Sequence, residues 1–298
     1  MIALIFGSSG QDGILLKKLL NKKNIKVYTS SRSSGDFIGD ISDYDFVFSI
    51  IKKISPDFIF NFSAISKISH EFIMDNFKAI TNGSLNILES VLRICPNSKV
   101  FLAGSAYQFK PGLSINEKSR FDYSNPYNLN RIFSVNLARY YREKFNLKIY
   151  IGYLFHHDSE FRKENHITIK ISNYAKLVKN SNNKLDKLII KNLDYLKEFN
   201  YAGDVVKAIW ILINQTNEME AVIGSGKSHT IKEWCGAVFK VLKLDWNKYV
   251  IESEHREIKN TNYYVSDPTL IKSLGWKPEY DLEDLAIKIL NFEKNSFY

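Results

Sequence analysis

The chain has 298 residues, of which 45% are hydrophobic and 24% charged, with only 14 glycines and 6 prolines. This length and composition are typical of a globular protein with a large core, and they exclude a small disulfide scaffold, a disordered chain and a fibrous repeat. The formal charge is +9, but the lysines are scattered along the chain, which argues against a nucleic-acid-binding patch.

Neither the apolar runs nor the cysteines indicate a membrane or secreted protein. The longest apolar runs fall short of the roughly 18 to 20 residues that a membrane span needs. Met1–Phe6 leads directly into a glycine turn, which is not the pattern of a signal peptide. Cys95 and Cys235 lie far apart and at no metal-ligand or redox spacing. We therefore expect a cytoplasmic protein with no membrane segment, two buried thiols and no metal site.

In the first half of the chain, short apolar runs alternate with amphipathic segments, a pattern typical of parallel strands covered by helices. The predicted strands are Ile2–Phe6, Lys26–Thr29, Phe58–Asn61, Lys99–Ala103 and Lys148–Leu154. The predicted helices are Gly13–Asn21, Asp43–Ile54, Ser84–Ile94 and Asn125–Phe145. This order predicts an α/β fold with a Rossmann-like, doubly wound parallel sheet.

After Phe155 the pattern changes to a polar stretch, and we place the start of a smaller lobe there. The later predicted helices are Lys170–Lys179, Gly203–Gln215, Ile231–Leu242 and a last one from Leu282. The helix at 203–215 returns to the first lobe. We therefore predict a dinucleotide-binding domain at 1–155 and 199–220, and a mixed α/β C-terminal substrate lobe at 156–198 and 221–298.

A glycine-rich turn follows the first predicted strand and opens the first helix. It reads Gly7-Ser-Ser-Gly10-Gln-Asp-Gly13, with glycines at i, i+3 and i+6. In a dinucleotide-binding turn the first glycine permits the tight turn, the second lets amides approach a pyrophosphate, and the third lets helix and strand pack closely. We therefore predict a nicotinamide dinucleotide held by Gly7, Gly10, Gln11, Asp12 and Gly13.

The stretch after the second predicted strand indicates which dinucleotide is bound. An acid at that strand end would hold the ribose diol of NAD, but here Ser30–Ser34 contains Arg32 and the first acid is Asp36. Arg32 and its neighbouring hydroxyls suit a 2′-phosphate, so we predict NADP, with NAD as the alternative. Asp40, with Ile41 beside it, comes where a third strand would bring an acid to the adenine amino group.

The long helix predicted from Asn125 begins with a candidate catalytic pair. The i, i+4 spacing of Tyr127 and Arg131 places them on one face of the helix. A tyrosine beside a fixed cation can have its pKa lowered toward the working pH, so that it exchanges a proton with a sugar hydroxyl as hydride moves. Ser105, just past a predicted strand, would hydrogen-bond the same hydroxyl. We predict that these three residues are catalytic.

These motifs resemble those of extended short-chain dehydrogenases/reductases that act on nucleotide sugars. Within the NAD-dependent epimerase/dehydratase superfamily, the chain is most similar to the GDP-mannose 4,6-dehydratases. Besides the phosphate turn, the matching segments are Asn61-Phe-Ser-Ala-Ile-Ser66, Gly152-Tyr-Leu-Phe-His-His-Asp-Ser159, Asn192-Leu-Asp194, Gly226-Lys-Ser-His229, Asp267-Pro-Thr269 and Leu274-Gly-Trp-Lys-Pro278. The resemblance implies hydride chemistry on a nucleotide-diphosphate sugar, with Ser63 and Ala64 over the cofactor.

Two positions that carry the chemistry depart from that family. The family's Ser-Thr-Ser-Glu stretch appears here as Gly104-Ser-Ala-Tyr107, so Ser105 replaces the threonine and Tyr107 replaces the glutamate. Arg131 replaces the family's lysine; it keeps the positive charge and the donors toward the nicotinamide ribose, but it is planar, bulkier and unable to lose its proton. By resemblance, both Tyr127 and Arg131 also contact the cofactor.

The matching segments further imply a substrate site between the lobes, with Tyr107 among its residues. The basic residues implied to face the nucleotide diphosphate are His156, Lys170, Lys197 and Arg256. The resemblance also implies a homodimer built on the helices near Ser84 and Tyr127. A tetramer stays open, although the loop after the second strand is short.

Three functions fit these residues. The first is an NADP-dependent oxidoreductase that exchanges hydride at C4 of a GDP-linked hexose, deoxyhexose or heptose. The second is a 4,6-dehydratase with a relocated base, and the third is a cofactor-binding protein that has lost catalysis. Elimination of water needs a base at C5 and an acid at C6, and an unperturbed phenol is about six pKa units less acidic than a carboxyl group. Because Tyr107 stands in place of the glutamate, we predict no elimination from GDP-mannose.

Overall fold

The computed structural model describes residues 1–181, 185–215, 217–253 and 263–292. The strands are β1 Ile2–Phe6, β2 Lys26–Ser31, β3 Phe37–Ile38, β4 Phe58–Asn61, β5 Lys99–Ser105, β6 Gly112–Ile115, β7 Lys148–Leu154, β8 His157–Asp158, β9 Leu188–Ile190, β10 Leu196–Glu198, β11 Asn200–Tyr201, β12 Glu220–Ile223, β13 Ser228–Thr230, β14 Val250–Glu252 and β15 Tyr264–Ser266. The helices are α1 Gln11–Lys22, α2 Tyr44–Ile54, α3 Ile73–Asn76, α4 Gly83–Ile94, α5 Pro126–Phe145, α6 Ile167–Asn180, α7 Ala202–Gln215, α8 Ile231–Val241, α9 Thr269–Ser273 and α10 Leu282–Leu290.

Seven parallel strands form the central sheet, in the order β12–β7–β5–β4–β1–β2–β3. Strand order reverses between β1 and β4, so the predicted Rossmann-like, doubly wound α/β fold is confirmed. In such sheets ligands bind beyond the carboxyl ends of the strands, at the point of reversal. The turn after β1 and the loop after β4 lie at that point.

Both faces of the sheet are buried, which explains why its strands are continuous apolar runs. Leu4 and Phe6 of β1 pack into a core shared with α2, α4 and α5. Ala3 and Ile5 point the other way, into a core shared with α1 and α7. This alternation follows the two-residue period of a strand. The sheet is therefore a rigid base beneath the loops at its carboxyl edge.

A third apolar cluster lies in the C-terminal part of the chain and contains Phe199, Trp234, Phe239 and Leu285. The indole Nε1 of Trp234 donates a hydrogen bond to the Thr168 carbonyl at 3.2 Å, which joins α8 to α6. This cluster is separate from the two cores that cover the sheet. The strand β12 carries the main sheet three residues beyond the predicted boundary at 220, and the exact division of the chain stays a prediction.

Some sequence predictions differ from the structure at their ends. The first helix begins at Gln11, two residues before the predicted Gly13, because Gly10 is its extended N-cap. Cys235 is buried, but Cys95 is only partly buried, and both are free thiols. Within the four described ranges, every helix is too short or too polar to cross a membrane.

Candidate active site

The structure requires glycine at two positions of the first turn, Gly7 and Gly13, and leaves more room at the third, Gly10. Gly7 has a φ of +74°, and a Cβ there would lie 2.7 Å from the Ser63 amide nitrogen. A Cβ on Gly13 would lie 2.6 Å from the Ser8 Cα, so that position permits the close approach of helix and turn. At Gly10, the nearest atom to a Cβ would be the Gly7 carbonyl oxygen at 3.4 Å, which is ordinary contact.

The turn therefore fits the pyrophosphate of a dinucleotide. The open space at Gly10 is where a side chain would obstruct a phosphate, and the first amides of α1 have no partner within the helix. Gly7, Gly10 and Gly13 thus have the arrangement predicted from their spacing. When bound, a nicotinamide cofactor supplies or accepts the hydride.

The side chains of Gln11 and Asp12 contact the segment after β7. Gln11 donates from Nε2 to the His157 carbonyl at 3.1 Å and accepts from the Ser159 hydroxyl at 2.9 Å. Asp12 Oδ1 lies 3.0 Å from His157 Nε2. Gln11 and Asp12 can therefore contact a cofactor through backbone amides, while their side chains connect the turn to the segment after β7.

The segment after β2 contains an exposed cation, Arg32, and an acid, Asp36, that is already hydrogen-bonded within the protein. Asp36 accepts hydrogen bonds from the Thr29 amide at 2.8 Å and hydroxyl at 2.7 Å, and the hydroxyl bond lowers the pKa of Asp36. The Asp36 carboxylate is thus held by β2 itself.

The predicted adenine residues follow β3. The Ser42 amide donates to Asp40 Oδ1 at 2.8 Å, and this bond, together with the charge of Arg32, lowers the pKa of Asp40. Ile41 is buried, and its carbonyl accepts from Asn86 Nδ2 at 3.0 Å. Asp40 is therefore a fixed carboxylate close to the exposed Arg32.

The loop after β4 borders the phosphate turn. The Ser63 amide donates to Asn61 Oδ1 at 2.9 Å, which fixes the start of the loop. The close approach of Gly7 to Ser63 places the loop directly against the turn, with Ala64 next along the chain. Ser63 therefore borders the phosphate turn, and contact of Ser63 and Ala64 with a cofactor stays a prediction.

The structure brings the three predicted catalytic residues together. Arg131 Nε donates to the Tyr127 hydroxyl at 3.3 Å, and Arg131 also donates to the Ala103 carbonyl of β5. Burial raises the pKa of Tyr127, but the charge of Arg131 and hydrogen bonds with Ser105, Arg131 and Ser66 outweigh it, so the net shift is downward. Tyr127 therefore has the environment that a proton-transferring phenol needs.

Tyr107 follows Ser105 by two residues and has a different environment. Its hydroxyl lies 2.9 Å from His156 Nε2, and its ring packs edge-on against Tyr264 with centroids 4.8 Å apart. Burial, with the neighbouring Tyr195 and Tyr264, raises the pKa of Tyr107. This phenol keeps its proton at neutral pH.

His156 is half-buried, and it is not the cation that was predicted. Burial and the charge of Lys197 hold the pKa of His156 far below its usual value, so the ring is neutral. In the part of the chain that the structure describes, the buried Nδ1 of His156 has no hydrogen-bond partner. The prediction of a cationic His156 facing a diphosphate is therefore corrected to a neutral imidazole that holds Tyr107.

Lys197 is also buried, because it neutralises a buried carboxylate. Its Nζ lies 3.5 Å from Asp158 Oδ2 and 3.3 Å from the Thr168 hydroxyl. Burial raises the pKa of Asp158, but the charges of Lys197 and Arg162 lower it by more, so Asp158 stays ionised. Lys197 was predicted to face a diphosphate. It is instead bonded within the protein and is not an open cation.

The two remaining predicted substrate residues have different outcomes. Lys170 is exposed in the first turn of α6. Arg256 lies outside the described residues. Among the described residues, Lys170 is the predicted substrate cation that is exposed.

Three contributors were not singled out from the sequence. His157 and Ser159 hold the phosphate turn, and Thr168 holds Asp158 with Lys197. The adjacent histidines after β7 were the available signal, since neighbouring residues of an extended chain point to opposite sides. The sequence analysis assigned a role to His156 and none to His157.

The fold and this site together define a Rossmann-fold protein of the epimerase and dehydratase class. The sequence model for GDP-mannose 4,6 dehydratase matches residues 4–289, so the chain belongs to the GDP-mannose 4,6-dehydratase family. This confirms the resemblance that the sequence motifs indicated.

Individual relatives agree with that assignment. GDP-mannose 4,6 dehydratase 1 of Arabidopsis thaliana is 28% identical over 319 residues, covering 96% of this chain and 87% of the relative. The human GDP-mannose 4,6 dehydratase is 27% identical over 343 residues, covering 97% of this chain and 90% of the relative.

Solved structures share the fold at low identity. The dTDP-glucose 4,6-dehydratase of Bacillus anthracis, in complex with NAD, has a TM-score of 0.85 at 14% identity and covers 100% of this chain and 97% of its own. RMD of Pseudomonas aeruginosa, complexed with NADPH, has a TM-score of 0.84 at 16% identity and covers 97% of this chain and 96% of its own.

Proposed function

We propose that this protein is an NADP-dependent oxidoreductase that exchanges hydride at C4 of a GDP-linked hexose, deoxyhexose or heptose. The observation that carries the proposal is the contrast between Tyr127 and Tyr107. Tyr127 has a lowered pKa beside Ser105 and Arg131, whereas Tyr107 is a protonated phenol beside the neutral His156. The site supports proton exchange with the substrate's C4 hydroxyl. At position 107 it has a tyrosine in place of the family's glutamate.

The chemistry assigned to each catalytic residue follows from its contacts. Tyr127 moves the proton to or from the substrate's C4 hydroxyl, and Ser105 holds that hydroxyl in reach. Arg131 stabilises the phenolate of Tyr127, since its charge and its Nε–H both favour the ionised form. The bond from Arg131 to Ala103 holds the guanidinium in that place.

Elimination of water would need more than this trio supplies. A group must take the C5 proton and then protonate the departing C6 hydroxyl. The Tyr107 phenol lies beside His156, Tyr195 and Tyr264, and its raised pKa keeps it protonated at neutral pH, so it is not available as a base. We therefore propose that the wild-type protein does not dehydrate GDP-mannose.

The choice of NADP over NAD rests on the end of β2. An acid that bonds a ribose diol must be free to do so, and Asp36 is occupied by Thr29. Arg32 is exposed and suits a 2′-phosphate. The cofactors named with the structural neighbours include both NAD and NADPH, so the proposal depends on these residues of this chain.

The nucleotide part of the substrate is assigned by family. The relatives are named for GDP-mannose, which supports a guanine nucleotide. We assign the C-terminal lobe to this nucleotide, with Lys170 as its exposed cation. Arg256 stays a candidate outside the described residues.

A homodimer on α4 and α5 is the proposed assembly, and a tetramer is left open. Large apolar side chains are exposed along α5, with Leu129 at 42% and Phe133 at 51% of full exposure, and Tyr140 continues the same face. Such a stripe on a helix outside the core is typical of a protein interface.

A 4,6-dehydratase with a relocated base is the second candidate, because the family is named for that reaction. The two reactions differ in their use of cofactor. Dehydration returns the hydride to the same sugar, whereas reduction or oxidation at C4 consumes one cofactor for each sugar converted.

The test incubates the protein with GDP-mannose and NADP, and separately with a 4-keto nucleotide sugar and NADPH. We expect a stoichiometric change in nicotinamide absorbance with a C4 redox substrate, and no 4-keto-6-deoxy product from GDP-mannose. Formation of that product without net change in cofactor would establish the dehydratase. Cofactor binding with neither reaction would favour a protein that has lost catalysis.

A further inference from the structure

His157, in β8, contacts the phosphate turn, and both of its ring nitrogens face acceptors. Nδ1 lies 2.6 Å from the Phe155 carbonyl oxygen, and Nε2 lies 3.0 Å from Asp12 Oδ1. A carbonyl and an ionised carboxylate only accept hydrogen bonds, and a neutral imidazole has one N–H to donate. Both contacts are therefore satisfied together only by an imidazolium cation.

The charged groups around His157 are Asp12 on α1, Asp158 next to it in β8, and Arg162 in the segment after β8. Burial lowers the pKa of His157 and the positive charge of Arg162 acts in the same direction, but the charge of Asp12 on α1, its hydrogen bond and the Phe155 carbonyl raise it by more. Asp158, which follows directly, is held by Lys197 and Arg162, and His156 is neutral. The result is a raised pKa for His157.

The partner of His157 lies in the phosphate turn. Asp12 belongs to the first turn of α1, where the helix presents its free amides. An uncompensated carboxylate there would repel an anionic pyrophosphate. Only 11% of the His157 side chain and 18% of the Asp12 side chain are exposed, so solvent screens this pair weakly.

We propose that His157, as an imidazolium, is a positioning residue for the dinucleotide: it neutralises Asp12 and thereby makes cofactor affinity fall as pH rises. This inference rests on the proposed cofactor function. Loss of the proton leaves one of the two acceptors unpaired and exposes the pyrophosphate to the carboxylate of Asp12. The neighbouring histidines then have opposite tasks, because His156 holds Tyr107 in its neutral form and His157 holds the turn in its charged form.

The sign of the pH effect follows from the direction of the shift. Since the pKa of His157 is raised in the folded protein, its contribution to stability is complete below the unfolded value of about 6.5. That contribution is lost as the pH rises through the folded pKa. Cofactor affinity follows the same direction.

The direct test measures the NADPH dissociation constant by fluorescence at about pH 6 and about pH 9. For the wild type we expect affinity about tenfold weaker at the higher pH. His157→Gln should bind about tenfold more weakly at the lower pH and lose the dependence on pH. Titration of the ligand's own phosphate is common to all variants and cancels in the comparison.

Asp12→Asn provides the second arm, because it removes the charge that His157 neutralises. Asp12→Asn alone should abolish the pH dependence. Combined with His157→Gln, it should recover most of the affinity that His157→Gln loses, which a merely structural role for His157 would not produce. A His157→Gln variant with the wild-type pH profile, or a double variant without recovery, would overturn the inference.

A matched control and a cofactor-free measurement keep the test independent of the proposed function. His229 pairs with Glu233 at 3.3 Å on the exposed surface of the other lobe, and His229→Gln should keep the wild-type pH profile. Urea unfolding without cofactor should show a stability difference between wild type and His157→Gln that is largest at low pH. Absence of NADPH binding at every pH would refute the proposed function, whereas an unfolding difference that is flat with pH would refute the imidazolium.

Discussion

Arg131 Nε donates a hydrogen bond to the Tyr127 hydroxyl at 3.3 Å, one turn along the same helix. The same guanidinium also donates to the Ala103 carbonyl at the end of β5. Helix α5 and strand β5 thus fix the cation beside the phenol, although an arginine stands where the family has lysine.

This pair predicts a shift in the pH dependence of turnover. Oxidation at C4 needs the ionised form of Tyr127, so its rate should rise with pH through the pKa of that phenol. Arg131→Met removes the charge that lowers this pKa, and the rising limb should move to higher pH by about one unit or more. Arg131→Lys should move it less.

The control is Arg139→Met, which removes a cation of α5 that is bonded to Glu220 at 2.7 Å. The limb should stay in place for Arg139→Met. An equal displacement by both changes would mean that Arg131 acts through the general charge of the helix.

The phosphate turn predicts opposite outcomes for two glycines. A Cβ on Gly13 meets the backbone of Ser8 at 2.6 Å, so Gly13→Ala should lower the free energy of unfolding by about 1–3 kcal/mol. A Cβ on Gly10 meets no atom closer than 3.4 Å, so Gly10→Ala should change it by about 1 kcal/mol or less.

Gly10→Ala should nevertheless weaken NADPH binding about tenfold or more, because its methyl group takes the space of the pyrophosphate. Urea unfolding and fluorescence titration of both variants check the pair. Normal cofactor binding by Gly10→Ala would mean that the pyrophosphate does not lie over this turn.

The end of β2 predicts the cofactor preference. Arg32→Ala should weaken NADP binding about tenfold and leave NAD binding unchanged, since only NADP carries the 2′-phosphate. Calorimetry with both cofactors measures this. Tighter binding of NAD than of NADP by the wild type, together with no effect of Arg32→Ala, would show that the interpretation of β2 is wrong.

Tyr107 predicts a gain of reaction rather than a loss. Tyr107→Glu restores the family's carboxylate, which can take the C5 proton, and should yield detectable 4-keto-6-deoxy product from GDP-mannose. Tyr107→Gln has nearly the same shape without the base and should yield none. Mass spectrometry of the products distinguishes the two variants, and equal product from both would show that this position does not hold the base.

The exposed face of α5 predicts the effect of a charge on assembly. Phe133→Asp should shift the mass measured by light scattering from dimer to monomer, because it places a carboxylate at the proposed apolar interface. Leu177→Asp is the matched control, since Leu177 is 60% exposed on α6. A dimer that survives Phe133→Asp but not Leu177→Asp would place the interface elsewhere.

Local patterns predicted the fold and the grouping of Ser105, Tyr127 and Arg131, but not the charge and burial of the basic substrate residues. Apolar runs and the spacing of Gly7, Gly10 and Gly13 report local geometry, and the i, i+4 spacing of Tyr127 and Arg131 does the same. Burial of Lys197 depends on Asp158, 39 residues away in sequence, so its charge could not be assigned from its own surroundings.

The same limit explains the histidines. The contacts of His157 reach back 145 residues to Asp12, and those of His156 reach 49 residues to Tyr107. Such pairs form where strand ends of a parallel sheet meet, and only the tertiary fold brings them together. Sequence patterns thus indicated where the candidate site lies. Contacts between residues far apart in sequence determine which of its side chains carry a charge.

Transfer of deuterium from 4-deuterated NADPH to a 4-keto nucleotide sugar tests the central claim most directly. We predict that the wild-type protein places one deuterium at C4 of the sugar for each cofactor oxidised, and that Tyr127→Phe reduces this rate about 100-fold or more. Conversion of GDP-mannose to a 4-keto-6-deoxy sugar with no net cofactor oxidation, or full deuterium transfer by Tyr127→Phe, would contradict it.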